Sequence, residues 1–116
     1  MRDFTKYDIW IEGIEFSVRI YALTGSFPDQ EKFGLTSQLR RASVSISSNF
    51  AEGCSRSSEK EFKRFIEIAL GSAFEVKTQL IISKKLGFVQ EEDLNVLIDL
   101  LDKVSKQLNA LRNKLK

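Results

Sequence analysis

A chain of 116 residues with 42% hydrophobic residues and a single proline is long enough for one domain with its own core and too apolar to be disordered. It has no histidine and one cysteine, which excludes an internal disulfide and the usual zinc sites and removes the commonest general base. The 18 basic and 16 acidic residues nearly cancel, so any basic surface must come from where the charges lie.

Nothing in the sequence indicates a membrane protein or a bound cofactor. The apolar runs are too short to span a bilayer, and the N-terminus lacks the basic-then-apolar pattern of a signal peptide. A lone cysteine, Cys54, suits a reducing compartment. We therefore expect a cytoplasmic protein with no metal, no cofactor and no membrane partner.

The first predicted helix covers residues 7–23 and carries two adjoining apolar stripes with helical spacing. One stripe contains Trp10, Ile14, Val18 and Tyr21, and the other contains Ile9, Phe16, Ile20 and Leu23. Two adjoining stripes predict a wide buried face. Gly25 should end this helix, and Phe27 and Phe33 should anchor the turn that follows.

The second predicted helix, residues 33–53, combines an apolar face with small polar residues. Thr36 or Ser37 is the expected N-cap. Serine fills four of the six places from Ser43 to Ser48, although serine is unfavourable inside a helix. Such a helix predicts close approach by another helix, a second subunit or a phosphate.

The third predicted helix begins at a capping box, in which Ser58 accepts from the backbone of Glu61. It should be the longest helix and end at Lys85 or Leu86, with Gly87 in the left-handed conformation.

Two features of this third helix point outside the core. Phe74 and Ile81 lie off its main apolar stripe and are predicted to face a second subunit. Gly71 and Ala73 predict that another backbone approaches closely at mid-helix.

The last predicted helix starts near Glu91 and carries a heptad of leucines. Acidic residues at its start and basic residues from Lys103 to Lys116 suit the helix dipole. The alternative interpretation of these basic residues is an arm that binds nucleic acid.

No alternating strand pattern occurs. The predicted fold is all-α: one up-and-down four-helix bundle, residues 1–116, with a long third helix.

A long motif carries a family resemblance. It contains Phe27-Pro28, Glu31, the run Phe33-Gly34-Leu35-Thr36-Ser37-Gln38-Leu39-Arg40-Arg41-Ala42, Ser45-Ile46, Asn49 and Ala51-Glu52-Gly53. Downstream it continues with Glu61-Phe62, Arg64-Phe65, Glu67-Ile68-Ala69, Gly71-Ser72, Glu75 and Gln79-Leu80. Over nearly its whole length the chain resembles the bacterial four-helix-bundle proteins encoded in intervening sequences of the 23S rRNA gene. It departs from them at Phe50 and at Ala73-Phe74.

The resemblance implies an oligomeric, nucleic-acid-associated accessory protein with no established enzymatic activity. A related branch is an accessory factor for a retroelement reverse transcriptase and forms a five-subunit barrel, so the resemblance implies a homopentamer. A partner protein is compatible with both the nucleic-acid association and the homopentamer.

Six basic residues are the candidates for binding RNA or DNA: Arg40, Arg41, Arg56, Lys60, Lys63 and Arg64. Arginine forks match phosphate and carboxylate oxygens alike, so an ion pair of Arg40 or Arg41 with Glu52 or Glu75 is the competing interpretation. For the cluster from Arg56 to Arg64, the competing interpretation is a solvated face with interspersed glutamates.

The remaining candidates are structural. Asn49, Glu52 and Glu75 are predicted to make buried hydrogen bonds or ion pairs. Five residues are candidates for a contact between subunits: Phe16, Ser43, Ser47, Phe74 and Ile81.

These observations predict a non-catalytic assembly protein that gathers basic residues by self-association and so binds nucleic acid. Two alternatives remain open. One is a protein-interaction module without nucleic-acid binding, and the other is a small enzyme that uses carboxylates or a serine–lysine pair.

Overall fold

Four α-helices make up most of the chain in a computed structural model that describes residues 2–116. They are α1 (Asp8–Thr24), α2 (Leu35–Cys54), α3 (Glu59–Lys85) and α4 (Glu91–Lys114). Short 3₁₀ turns occur at Phe4–Lys6 and Asp29–Glu31, and no strand occurs within the described residues. The predicted all-α class is confirmed.

Each helix packs against the helices that precede and follow it in the chain, and α4 returns to pack against α1. The backbones of the pairs α1–α3 and α2–α4 do not approach closely, so these pairs occupy diagonal corners. Short connections between neighbours make the bundle up-and-down. The particle measures 43 × 24 × 20 Å, and the 27 residues of α3 span nearly all of its length.

Most of the predicted helix ends match the structure, and one does not. Ser58 Oγ accepts from the backbone N–H of Glu61 at 3.1 Å, and Gly87 has φ +86°. At α2, however, neither Thr36 nor Ser37 is the cap. The Glu31 carboxylate accepts from the Leu35 N–H at 3.1 Å, because the preceding 3₁₀ turn carries this acid to the positive end of the helix.

Only one of the two apolar stripes of α1 is buried. Ile9, Phe16 and Ile20 belong to the core, whereas Val18 is 60% exposed and Tyr21 is also exposed. The predicted wide buried face is therefore wrong. The physical reason is that α1 packs against α2 and α4 alone among the long helices, so its outer side has nothing to cover it.

The turn between α1 and α2 separates its two aromatic residues. Phe27 is buried, with its ring 5.6 Å from that of Phe88, while Phe33 is 88% exposed. The prediction that both anchor the turn is wrong for Phe33, which lies outside the core.

Glycine marks a close helix approach at Gly53 but not at Gly71. A methyl group on Gly53 would lie 2.7 Å from Phe65 Cβ, so α2 and α3 meet there. Ala73 is buried as expected for a close contact. Gly71 is exposed and a methyl group there would meet nothing within 4 Å, so the prediction of close packing at Gly71 is wrong for this chain.

Candidate nucleic-acid interface

Three of the predicted basic residues come together at the start of α3. Lys60, Lys63 and Arg64 line one depression of about 700 Å³ together with Lys116 from the end of the chain. The antiparallel arrangement of α3 and α4 brings these two ends to the same end of the bundle. Glu61 and Glu67 are the acidic residues of its lining. The depression therefore carries an excess of positive charge.

A second depression, also of about 700 Å³, continues along the groove between α3 and α4 and shares Glu67 with the first. It adds Lys106 and Arg112, while its Lys77 is paired with Asp102 at 3.1 Å. Together the two depressions define the basic face: Lys60, Lys63, Arg64, Lys106, Arg112 and Lys116. None of these six side chains belongs to an ion pair formed within residues 2–116.

The helix dipoles explain only part of this charge. Arg112 lies in the last turn of α4, where a cation is favourable. Lys60 lies near the start of α3, where the dipole is positive and a cation is unfavourable. The helix dipole therefore does not account for Lys60.

Arg40 and Arg41 lie apart from the basic face and on different sides of α2. Arg40 Nε donates to Thr24 Oγ1 at 2.9 Å, and its guanidinium lies 4.6 Å from the centre of the Tyr21 ring. Arg41 is exposed on the α3 side, where it shares a depression with Glu75. Neither arginine forms an ion pair within the described residues, so the ion pairs considered for them with Glu52 and Glu75 are absent there.

Arg56 also has neighbours of its own. Its guanidinium lies 4.8 Å from the centre of the Phe65 ring and 3.4 Å from a carboxylate oxygen of Glu52. Glu52 is thus the ion-pair partner of Arg56, which is one helical turn away. These contacts hold the Arg56 side chain against its own bundle, whereas Lys60 and Lys63 have no such partner in the described chain.

Asn49 joins a polar string between α2 and α3. Its Nδ2 donates to the Ser45 carbonyl at 2.8 Å and to Ser45 Oγ at 2.7 Å. The Ser45 hydroxyl in turn lies 2.9 Å from the Ser72 hydroxyl of α3. Ser45 therefore serves a contact within the chain, and Asn49 orients its side chain.

The predicted subunit-contact residues fall into two groups. Phe16 and Ser43 are fully buried and Ser47 is nearly so, because they pack within their own bundle; their assignment to an exposed interface is wrong. Phe74 and Ile81 are 63% and 40% exposed and lie seven residues apart on one face of α3, where they form an apolar strip.

The α1 residues left uncovered form a second apolar strip: Ile11, Ile14, Val18 and Tyr21. The sequence identified Phe74 and Ile81 as outward-facing, whereas it predicted burial for the α1 stripe that contains Ile14, Val18 and Tyr21. On α3 the signal was present, because Gly71, Phe74, Thr78 and Ile81 recur at alternating four- and three-residue steps outside the core stripe.

The remaining chemistry of the described residues is limited. Burial raises the pKa of the Cys54 thiol from 9.0 to about 11, so the thiol stays protonated at neutral pH. Within residues 2–116 no three cysteine, aspartate or glutamate side chains gather closely enough to hold a metal ion. None of the helices in this part of the chain is long and apolar enough to cross a membrane.

Comparison with known proteins agrees with this architecture. The family model described as 23S rRNA-intervening sequence protein matches residues 5–110. A crystal structure of a protein of unknown function from the S23 ribosomal protein family of Bacteroides thetaiotaomicron is similar with a TM-score of 0.81. It is 23% identical, and the match covers 90% of this chain and 97% of that one, a likeness that shows the fold. No curated protein matches.

Proposed function

The chain belongs to the family of 23S rRNA-intervening sequence proteins, and we propose that it is a non-catalytic, self-associating protein that binds nucleic acid through its basic face. The observation that carries this proposal is the gathering of six cationic side chains along α3 and α4 without an ion-pair partner in the described chain. Its site of action is the cytoplasm.

Charge and geometry support a phosphate-binding role. Lysine and arginine that are not neutralised by nearby acids are free to replace the counterions of a nucleic-acid backbone, which makes binding strong and salt-sensitive. The two depressions run along α3 and α4 as an open groove rather than a closed pocket. An extended polyanion fits such a groove better than a small enclosed substrate.

The two apolar strips support self-association. They lie on α1 and α3, which occupy diagonal corners of the bundle, so the strips face different directions. Two different apolar surfaces on one molecule favour head-to-tail contact, which closes into a ring when the rotation between copies permits. The family resemblance favours five copies. A ring repeats the basic face around its circumference and increases the local attraction for phosphate.

A pair of double variants tests the proposal. Lys60→Ala/Lys63→Ala removes two charges from the basic face, and Lys6→Ala/Lys85→Ala removes two exposed charges elsewhere. We expect the first to weaken RNA or DNA binding at low salt by roughly tenfold or more, and to reduce the slope of log K against log salt by about 2, with the control near wild type. The measurement is fluorescence anisotropy over a salt series.

An interaction module without nucleic acid is the second candidate, and the same apolar strips favour it. Binding of a protein partner would depend little on salt and would survive Lys60→Ala/Lys63→Ala. Absence of any affinity for structured RNA or for single- and double-stranded DNA at low salt would remove the nucleic-acid proposal.

A further inference from the structure

A third depression, of about 360 Å³, lies between the start of α2 and the middle of α3. Six of its lining residues are Phe33, Ser37, Gln38, Arg41, Ser45 and Glu75. We propose that this depression binds one unpaired nucleotide of a single-stranded nucleic acid, an inference that rests on the proposed function and specifies the form of its ligand. Its volume falls within the range of small-ligand sites, at the lower end.

Phe33 is the aromatic element of this site. At 88% exposure its ring contributes almost nothing to the core. The backbone beside it is nevertheless fixed, because Glu31 Oε1 accepts from the Leu35 N–H at 3.1 Å. Gly34 makes room for that carboxylate, since a methyl group there would lie 2.7 Å from Glu31 Oε1. An exposed ring on an ordered backbone is a stacking platform for an unpaired base.

Arg41 supplies the positive charge. It is exposed, and it has no ion-pair partner within the described chain. Its planar fork matches phosphate oxygens. Ser37 adds a hydroxyl from the first turn of α2, where the helix dipole also favours an anion.

Gln38 and Glu75 complete the polar lining. Gln79 Nε2 donates to Gln38 Oε1 at 3.3 Å, which leaves the Gln38 amide N–H groups available to a ligand. The Glu75 carboxylate can only accept hydrogen bonds, so it suits an amino group of a base or a ribose hydroxyl. It would repel a second phosphate. A ring, a cation and an acceptor in one depression match a nucleotide better than they match a bare duplex backbone.

The site lies within reach of the basic face. Arg64 and Glu75 are separated by about 16 Å along α3, from the rise of 1.5 Å per residue. One short single strand can therefore contact Lys60, Lys63 and Arg64 and place one base on Phe33. A duplex can contact only the basic face, because its bases are already stacked and paired.

The test compares a single-stranded 12-mer RNA with a duplex RNA of equal charge. Phe33→Leu keeps the side chain apolar but removes the aromatic face, and Val96→Ala alters an exposed apolar side chain of α4 outside the depression, the basic face and both apolar strips. We expect Phe33→Leu and Arg41→Ala each to weaken single-strand binding about tenfold or more, the usual scale for a lost base stack. Duplex binding by Phe33→Leu and both affinities of Val96→Ala should stay near wild type.

A second readout observes the stack directly. In a Trp10→Phe background, Phe33→Trp places the only tryptophan in the depression. We expect its emission to be quenched by adenosine monophosphate, and the aromatic variant to retain the single-strand affinity that Phe33→Leu loses.

Unchanged single-strand binding by Phe33→Leu would overturn the nucleotide site, and the basic face would stand if Lys60→Ala/Lys63→Ala still weakens binding. A changed particle mass for Phe33→Leu in light scattering would also overturn it and assign the ring to a contact between copies. Wild-type protein that binds neither RNA would overturn the proposed function as well. If adenosine monophosphate nevertheless quenches the tryptophan emission, the nucleotide site would stand although the proposed function has failed.

Discussion

At the scale of single residues, two arginines make different contacts because their surroundings differ. Arg40 and Arg41 are adjacent in sequence, yet the first is held by Thr24 and Tyr21 of α1 and the second is exposed on the side of α2 that faces α3. Successive helical residues point about 100° apart, so their divergence was predictable. The sequence did not predict that Arg40 would bind neutral groups rather than an acid, because its partners come from another helix.

Glycine offers a test at the residue scale. A methyl group on Gly53 would collide with Phe65, whereas one on Gly71 would meet nothing within 4 Å. We expect Gly53→Ala to reduce the free energy of unfolding by about 1–3 kcal/mol through overpacking. Gly71→Ala should raise it by up to about 1 kcal/mol through helix propensity. Urea unfolding measures both, and a stabilised Gly53→Ala would contradict the close approach of α2 and α3.

At the scale of elements, local sequence signals locate helix ends well when the cap lies within one turn. Ser58 and Glu61 form the predicted start of α3 because donor and acceptor are three residues apart. The cap of α2 comes from Glu31, four residues before Leu35 and inside a separate 3₁₀ turn. An isolated reading of residues 33–53 therefore could not identify it.

The N-cap of α3 can be tested with a neighbouring serine as the control. Ser58→Ala removes the hydroxyl that accepts from Glu61, and Ser57→Ala alters an exposed neighbour outside the helix. We expect Ser58→Ala to lower the free energy of unfolding by about 1 kcal/mol and Ser57→Ala to change it little. If thermal or urea unfolding shows the same loss of unfolding free energy for both variants, the cap does not stabilise α3.

At the scale of the whole molecule, the bundle leaves apolar strips on two helices at diagonal corners. Burial of this surface needs a second molecule, and two different strips favour a head-to-tail contact over a self-complementary one. A mixing experiment can distinguish this head-to-tail contact from a symmetric dimer.

Val18→Glu places a charge in the α1 strip, and Phe74→Glu places one in the α3 strip. Each variant alone should lose the oligomer, because every head-to-tail contact would then bury a charge without a partner. An equimolar mixture still has one unmodified strip of each kind and should form a heterodimer and nothing larger. Light scattering distinguishes these masses. Full-size oligomer from either single variant would contradict the proposed contact.

The sequence by itself determined the all-α class, the four helices and most of their ends, because helical period and capping act over a few residues. Only the tertiary structure decided which stripe of α1 is buried and which basic residues share a surface. Lys60 and Lys116 are far apart in the chain and meet because α3 and α4 run antiparallel. Phe33 is exposed for a similar reason: whether an apolar side chain is covered depends on which helices become neighbours, and no local pattern contains that information.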